Sequence, residues 1–280
     1  MSSKIVRQFK FAAIQLHVTA DKEANLAHVR DVVRQAAQSG ARVVALPECF
    51  NSPYGPKYFA KYAESVPDGA TSLLLQSLAR EHSVLLIGGS IPEREGDKLY
   101  NTSVVYDESG RLLAKFRKIH LFDVAIKNGI TFQESSTLSA GSDLALFDSS
   151  FGRFGLGICY DVRFAPLAQL YAKRGAQFLV YPGAFNTVTG PMHWELLARA
   201  RAVDNQLFVA LVSPARDPDA SYHAYGHSIV VDPWAKVLAQ ASHEPTIVYA
   251  DIDLDRVDEV RSQIPVTSQQ RGDVYSVEGK

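Results

Sequence analysis

Short apolar runs rich in Val, Ile and Phe alternate with segments of helical periodicity along this chain, and no Pro/Gly/Ser-rich linker or low-complexity stretch interrupts them. Such alternation predicts a layered α/β fold, because strands and helices must bury their apolar faces against one another. Strands are expected at Phe9–Leu16, Ala41–Leu46, Val84–Gly88, Thr102–Tyr106, Leu112–Arg117, Ala145–Phe147 and Phe154–Ile158. Further strands are expected at Phe178–Tyr181, Phe208–Val212, His227–Val231, Val237–Gln240 and Thr246–Asp251, with helices at Lys22–Ser39, Thr71–His82, Val162–Arg174 and Met192–Asn205. Asp21 reads as the N-cap of the first helix and Gly40 as its stop. Asp107-Glu108-Ser109-Gly110 has the composition of a hairpin turn. The length of 280 residues suits one large domain, placed at 9–275 between an N-terminal extension, 1–8, and a C-terminal tail, 276–280.

Composition narrows the functional classes. A net charge of −1 offers no electrostatic footprint for nucleic acid or an anionic membrane surface. The longest apolar runs, such as SVLLIGG, are far too short to span a bilayer. The start, MSSKIVRQFK, lacks the apolar region of a secretory signal, so a cytoplasmic protein is expected; its basic character leaves a mitochondrial presequence open. Only two cysteines are present, Cys49 and Cys159, which suits a reducing compartment and predicts two free thiols.

Three runs put a reactive residue at what reads as a strand end, where ligands of α/β proteins gather: Glu48 in VVALPECF, Lys118 in AKFRKIHLF and Cys159 in FGLGICYDVRF. A thiol with a pKa of about 8.5 is only slightly ionised at neutral pH, so a hydrolytic cysteine needs a base or a positive field beside it. Glu48 suits the base. Lys118 suits the cation that stabilises negative charge developing on a carbonyl oxygen, and it balances Glu48. Cys159 is expected at a strand-to-helix turn near the positive end of a helix dipole, with the Tyr160 N–H as a second oxyanion donor. Taken singly, each residue has a plainer reading: an inert buried thiol, a solvated strand end, one member of a basic run. Strand alternation would point Cys49 away from Glu48 and into packing. A Cys-His hydrolase with His120 or another histidine as base is the mechanistic rival. His223 and His227 are spaced by four, but Gly226 and a following strand keep them off one helical face, so no metal is expected there. No G-x-S-x-G, Walker A or G-x-G-x-x-G motif occurs.

From Lys10 to about Tyr275 the chain resembles the nitrilase superfamily of carbon–nitrogen hydrolases, and most of all its omega-amidase branch. The resemblance rests on ALPECF, KIHLFD, TFQES, GICYDVRF, YPGAFN, HWELLARARAVDNQ, SPARD and YGHSIVVDPWAKV. It implies a four-layer α-β-β-α sandwich with Glu48 as general base, Lys118 as oxyanion cation and Cys159 as nucleophile. Glu134, in TFQES, is implied as a supporting carboxylate that holds Lys118. The implied reaction hydrolyses short dicarboxylic monoamides, such as 2-oxoglutaramate and 2-oxosuccinamate, through a thioester, without metal or organic cofactor. Amidase action on a deaminated peptide-like amide, true nitrilase action, and a non-catalytic ligand-binding module are the alternatives. For the distal carboxylate of a substrate the candidate is Arg163, whose planar fork suits a carboxylate, against a plain pairing with Asp161. Tyr54, Phe185 and Thr187 are candidate pocket walls. The pattern of the branch is broken where AIKNGITF lacks a proline near Lys127, at Ala140, and at Pro166, which a first helical turn tolerates. The resemblance further implies a homodimer of paired sandwiches, with Ser262–Tyr275 reaching towards a neighbour.

Overall fold

The computed structural model describes residues 5–127 and 130–279. In chain order its elements begin with β1 (Gln8–Gln15), α1 (Lys22–Gln38), β2 (Ala41–Ala45), α2 (Pro56–Tyr62), α3 (Ala70–His82), β3 (Leu85–Ile87), β4 (Ile91–Glu95) and β5 (Lys98–Tyr106). There follow β6 (Leu112–Arg117), β7 (Asp123–Ala125), β8 (Thr131–Gln133), β9 (Leu146–Ser149), β10 (Gly152–Leu156), α4 (Ala165–Lys173) and β11 (Phe178–Pro182). The chain closes with α5 (Gly190–Asn205), β12 (Phe208–Val212), β13 (Ile229–Val231), β14 (Val237–Gln240), β15 (Thr246–Asp253) and α6 (Asp255–Gln263). Single 3₁₀ turns occupy Glu134–Ser136 and Cys159–Arg163. Among the described residues no helix is long and apolar enough to cross a membrane.

Two mixed sheets carry the fold. The first runs β15-β1-β2-β3-β5-β4, with β6 also paired to β5, and the second runs β14-β13-β12-β11-β10-β9. Strands β1, β2 and β3 are parallel to one another, as are β10, β11 and β12, and antiparallel strands flank each parallel set. The period of two in the strands decides the layers. Phe11, Ala13, Val43, Ala45, Leu85 and Ile87 face the second sheet, whereas Ala12, Ile14, Val44 and Leu86 pack with Val29 and Val33 of α1 and Leu75 and Leu78 of α3. Phe11 meets Phe178 across the sheets at 5.0 Å between ring centroids, and Phe154, Phe178 and Phe208 stack in a row on that inner face. Helices α4 and α5 add Leu167, Tyr171, Trp194 and Ala198 to the same core. The result is the four-layer α-β-β-α sandwich.

Local signals account for several boundaries. Asp21 accepts from the Ala24 N–H at 3.0 Å and caps α1, and Gly40 follows its end. Asp107 collects the N–H groups of Ser109 and Arg111 in the β5–β6 hairpin. Gln8 is already in β1, and the Arg7 guanidinium pairs with Asp255 and Asp258. Residues 1–4 and 280 lie outside the described residues, as do Asn128 and Gly129 in the loop where the resemblance expects a proline.

Other expectations need correcting. The helix expected from Val162 begins only at Ala165, with Pro166 in its first turn, because Cys159–Arg163 is wound as a 3₁₀ turn. The helix expected from Met192 begins at Gly190, with Pro191 in its first turn. His227 has left the strand expected there and sits at φ 60°, so β13 starts at Ile229. Elements β4, β7, β8, α2 and α6 have no counterpart in the sequence reading. In β4, IPERE, the proline and two glutamates mask an edge strand whose Glu93 is buried against Lys115 and Arg117. Along Ser262–Tyr275, Val266, Gln270 and Tyr275 line a surface groove together with Lys173 and Asn205 of α4 and α5, and Val266 and Tyr275 stay exposed.

Candidate active site

The residues singled out by chemistry stand just past strand ends of both sheets. Beyond β2, Leu46-Pro47 carries the chain to Glu48, and the Pro47 carbonyl accepts from Ser90 N–H at 3.1 Å. Gly89, at φ 56°, lets this crossing happen: a Cβ there would lie 2.2 Å from the Pro47 oxygen. Glu48 is fully buried; its Oε1 accepts from Asn101 Nδ2 at 2.8 Å and Lys118 Nζ at 3.1 Å, and its Oε2 from the Ala184 N–H at 2.8 Å. Ala184 follows β11, so this last bond joins the two sheets.

Lys118 follows β6 directly, its backbone held by Asn101 and Gly141. Its side chain is fully buried, and Nζ donates to Glu134 at 2.9 Å as well as to Glu48. Glu134 opens the 3₁₀ turn after β8 and also accepts from Tyr54 OH at 2.8 Å and the Phe122 N–H at 2.6 Å. One ammonium is thus shared by two buried carboxylates.

Cys159 lies three residues beyond β10, at φ 49°, a left-handed conformation uncommon for a side chain with Cβ. Gly157 allows the turn to sit this low: a Cβ there would come within 2.4 Å of the Tyr181 ring. The thiol is 4% exposed and stands in the field of the Glu48 carboxylate and the Lys118 ammonium. A helix dipole does not lie behind it, since α4 starts six residues later; the sequence expectation on that point is corrected.

Charge balance follows from burial. Burial raises the Glu48 carboxyl above its ordinary 4.5, and Glu134 adds to this, while Lys118 and the Cys159 thiol oppose it. Burial works against charging Lys118, but Glu134 and Glu48 outweigh it and hold the ammonium's pKa well above 10.5. The Cys159 thiol is pushed well up by burial and by Glu48, against Lys118 and the Ala184 N–H. A neutral thiol beside a buried carboxylate and a fixed ammonium needs a proton transfer to become nucleophilic, and the carboxylate is placed to receive that proton.

Next to these groups lies a cavity of about 230 Å³, lined by Glu48, Cys49, Tyr54, Ala184 and Tyr222 and rimmed by Asp217 and Asp219. Tyr54 is in its wall and bonded to Glu134, and its ring meets Tyr222 edge-on at 4.7 Å. Tyr222 in turn donates to the Ala184 carbonyl. Cys49 packs with Phe59, Leu99 and Leu138, as alternation suggests, but the strand has ended and a left-handed turn at φ 50° sets its direction. Both cysteines are free.

Arg163 is half-buried, with its guanidinium 4.6 Å from the Phe185 ring and its Nη1 donating to His193 Nδ1 at 3.1 Å. Burial lowers its pKa, and among the described residues it forms no ion pair. Asp161 is occupied elsewhere, by His120 and the Ile158 N–H, so the plain Arg163–Asp161 pairing is not made. Phe185 is buried edge-on against Trp194 at 5.0 Å. Arg163, Phe185 and Thr187 all stand outside the cavity lining, and Thr187 is exposed, the chain turning outward where Asn186 Oδ1 collects the N–H groups of Val188 and Thr189. Tyr160 is half-buried, its ring edge-on to Phe122 and Phe164, and its N–H is the first amide after the sulfur-bearing residue. Asn101, Ala184 and Tyr222 went unnoticed in the sequence, and for an amide N–H in a loop no sequence signal exists.

The model of the family described as carbon-nitrogen hydrolase matches residues 10–262. The chain is 58% identical over 272 residues to Omega-amidase NIT2 of Homo sapiens and of Bos taurus, covering 97% of this chain and 98% of each relative. Among solved structures it is similar to Saccharomyces cerevisiae Nit3, a member of branch 10 of the nitrilase superfamily, with TM-score 0.88 and 44% identity over 95% of this chain and 98% of that one. It is likewise similar to an amidase from Nesterenkonia sp., with TM-score 0.77 and 26% identity over 95% and 98% of the two chains.

Proposed function

The chain belongs to the carbon–nitrogen hydrolase family, in its omega-amidase branch, and on that footing we propose that it hydrolyses the terminal amide of short dicarboxylic monoamides to the dicarboxylate and ammonia. Substrates of this class include 2-oxoglutaramate and 2-oxosuccinamate. The observation that carries the reading is the buried Lys118 ammonium, fixed by Glu48 and Glu134 at 3.1 and 2.9 Å with the buried Cys159 thiol in the field of all three.

In the mechanism, Glu48 takes the Cys159 proton as sulfur attacks the amide carbon, and Lys118 and the Tyr160 N–H hold the oxyanion. Glu48 returns the proton to the leaving nitrogen, ammonia departs, and an acyl thioester remains on Cys159. Water then attacks the thioester, giving its proton to Glu48, and the thiol regains a proton as the acid leaves. Glu134 acts on this sequence through Lys118, keeping the ammonium in place. The distal carboxylate pairs with Arg163, a cation among aromatic rings that has no acidic partner among the described residues and is therefore open to a bidentate anion. Phe185 lies against its guanidinium and Tyr54 is in the wall of the neighbouring cavity; Thr187, exposed, has a lesser claim.

Ammonia release across oxo-acid monoamides, uncharged amides and nitriles tests the proposal. Dicarboxylic monoamides should give the highest kcat/KM. Arg163→Ala should raise KM for them by about tenfold or more, the effect of losing one charge-assisted contact, and spare uncharged amides. Equal effects on both classes would remove Arg163 from substrate recognition. Cys159→Ser should fold and lose nearly all turnover, with the acyl group of a trapped intermediate found on Cys159 in the parent.

The same reading makes the protein a homodimer. Its support is a stripe on the outer face of α5, where Met192, Leu196 and Val203 are exposed beside Ala235. Two unbridged thiols suit the reducing interior of a cell, and we place the protein in the cytoplasm.

A further inference from the structure

We infer that His120 is a positioning residue for the reaction: by gripping the Cys159 turn of one sheet from the Lys118 segment of the other, it sets where the sulfur stands relative to the ammonium. The inference rests on the amidase reading above and adds a residue to its machinery. His120 is two positions from Lys118, and Asp161 is two positions from Cys159. Between them, Asp161 Oδ1 accepts from both the His120 backbone N–H at 2.9 Å and its Nδ1 at 2.7 Å. Asp161 Oδ2 accepts from the N–H of Ile158, the residue preceding the nucleophile, at 2.8 Å.

Asp161 is fully buried, so its carboxylate depends on these three donors, and each charge-assisted bond is stronger than a neutral one. Nδ1 must carry its hydrogen to face a carboxylate, which fixes the tautomer. The His120 ring also lies flat on Phe164, the residue that closes the turn, at 3.6 Å between centroids and 8° between planes. His120 therefore holds the turn at its middle and at its end. Nε2 is left as the ring's remaining nitrogen, and among the described residues His120 makes no hydrogen bond to Cys159. A nucleophile held at φ 49° depends on the bonds that fix its turn, and misplacing reacting groups by about 1 Å costs on the order of 100-fold in rate.

The test compares full-length wild type with His120→Ala, His120→Asn and His120→Phe. Readouts are kcat and KM with a dicarboxylic monoamide, and the rate at which iodoacetamide alkylates Cys159, resolved from Cys49 by peptide mass spectrometry. His120→Ala should lower kcat by about 30- to 100-fold with KM changed less than about threefold, and should change the alkylation rate of Cys159. His120→Asn keeps an N–H donor where Nδ1 stood and should recover about tenfold or more of that loss. His120→Phe keeps the stack on Phe164 and removes only the donor; it should behave like His120→Ala and serves in its place if that variant does not fold. An unchanged kcat in His120→Ala or His120→Phe, or an Asn variant no better than Phe, overturns the role. Should wild type release ammonia from no amide, the amidase reading fails by itself, and the alkylation rates still decide whether His120 positions the thiol.

Discussion

Glu48, Lys118 and Glu134 are all withdrawn from water, and a single positive charge faces two negative ones. Removing water strengthens every interaction in such a group, so the balance among the three matters more than any one bond. Lys118 keeps its proton throughout the neutral range: its folded pKa is raised, so its contribution is complete below 10.5 and is lost only as pH rises through the higher folded value. Glu48 is the group that titrates into action. Because burial raises it above 4.5, the acid limb of kcat/KM should have its midpoint above that value, with activity rising as the carboxyl ionises. A pH–rate profile with its acid midpoint at or below 4.5 would assign that limb to another group.

Edge strand β4 shows how one element is secured against its own polarity. Glu93 is fully buried within it and accepts from Thr102 Oγ at 2.5 Å and from Arg117 Nε and Nη2 at 2.8 and 2.7 Å, with Lys115 alongside. Burial alone would raise its pKa, but these partners outweigh it and the net shift is downward. A lowered folded pKa gives stability that is present above 4.5 and lost as pH falls through the folded value. Glu93→Gln should therefore be less stable than wild type at pH 7, yet lose less further stability on acidification, as urea titrations at both pH values would show. The same strand marks the limit of sequence reading. Val- and Ile-rich strands and the α1 cap were legible because pattern and propensity agree there, whereas IPERE carries a proline and two acids whose neutralising partners sit on β6. Glu48, Lys118 and Cys159 were legible because their chemistry is scarce and their flanking text resembles one family. The 3₁₀ turn at Cys159 was not, since Val162 and its neighbours satisfy a helical period and only the contacts of Asp161 show the helix starting later.

On the scale of the molecule, the exposed stripe of α5 recurs at positions 192, 196 and 203, one face of a helix whose other side is buried in the core. Leu196→Glu, a charge in the middle of that stripe, should shift sedimentation from dimer to monomer at micromolar concentration and leave the fold intact; a dimer that persists would place the contact elsewhere. The most consequential feature lies inward. Glu48 and Lys118 are delivered by one sheet, Cys159 and the Ala184 amide by the other, and the bonds Glu48–Ala184 and His120–Asp161 stitch them together. Turnover is thus a gauge of how squarely the halves of the sandwich are clasped. In rising denaturant, hydrolysis should fade before the far-ultraviolet helix signal, because a slip between layers that leaves every helix wound already parts the reacting atoms.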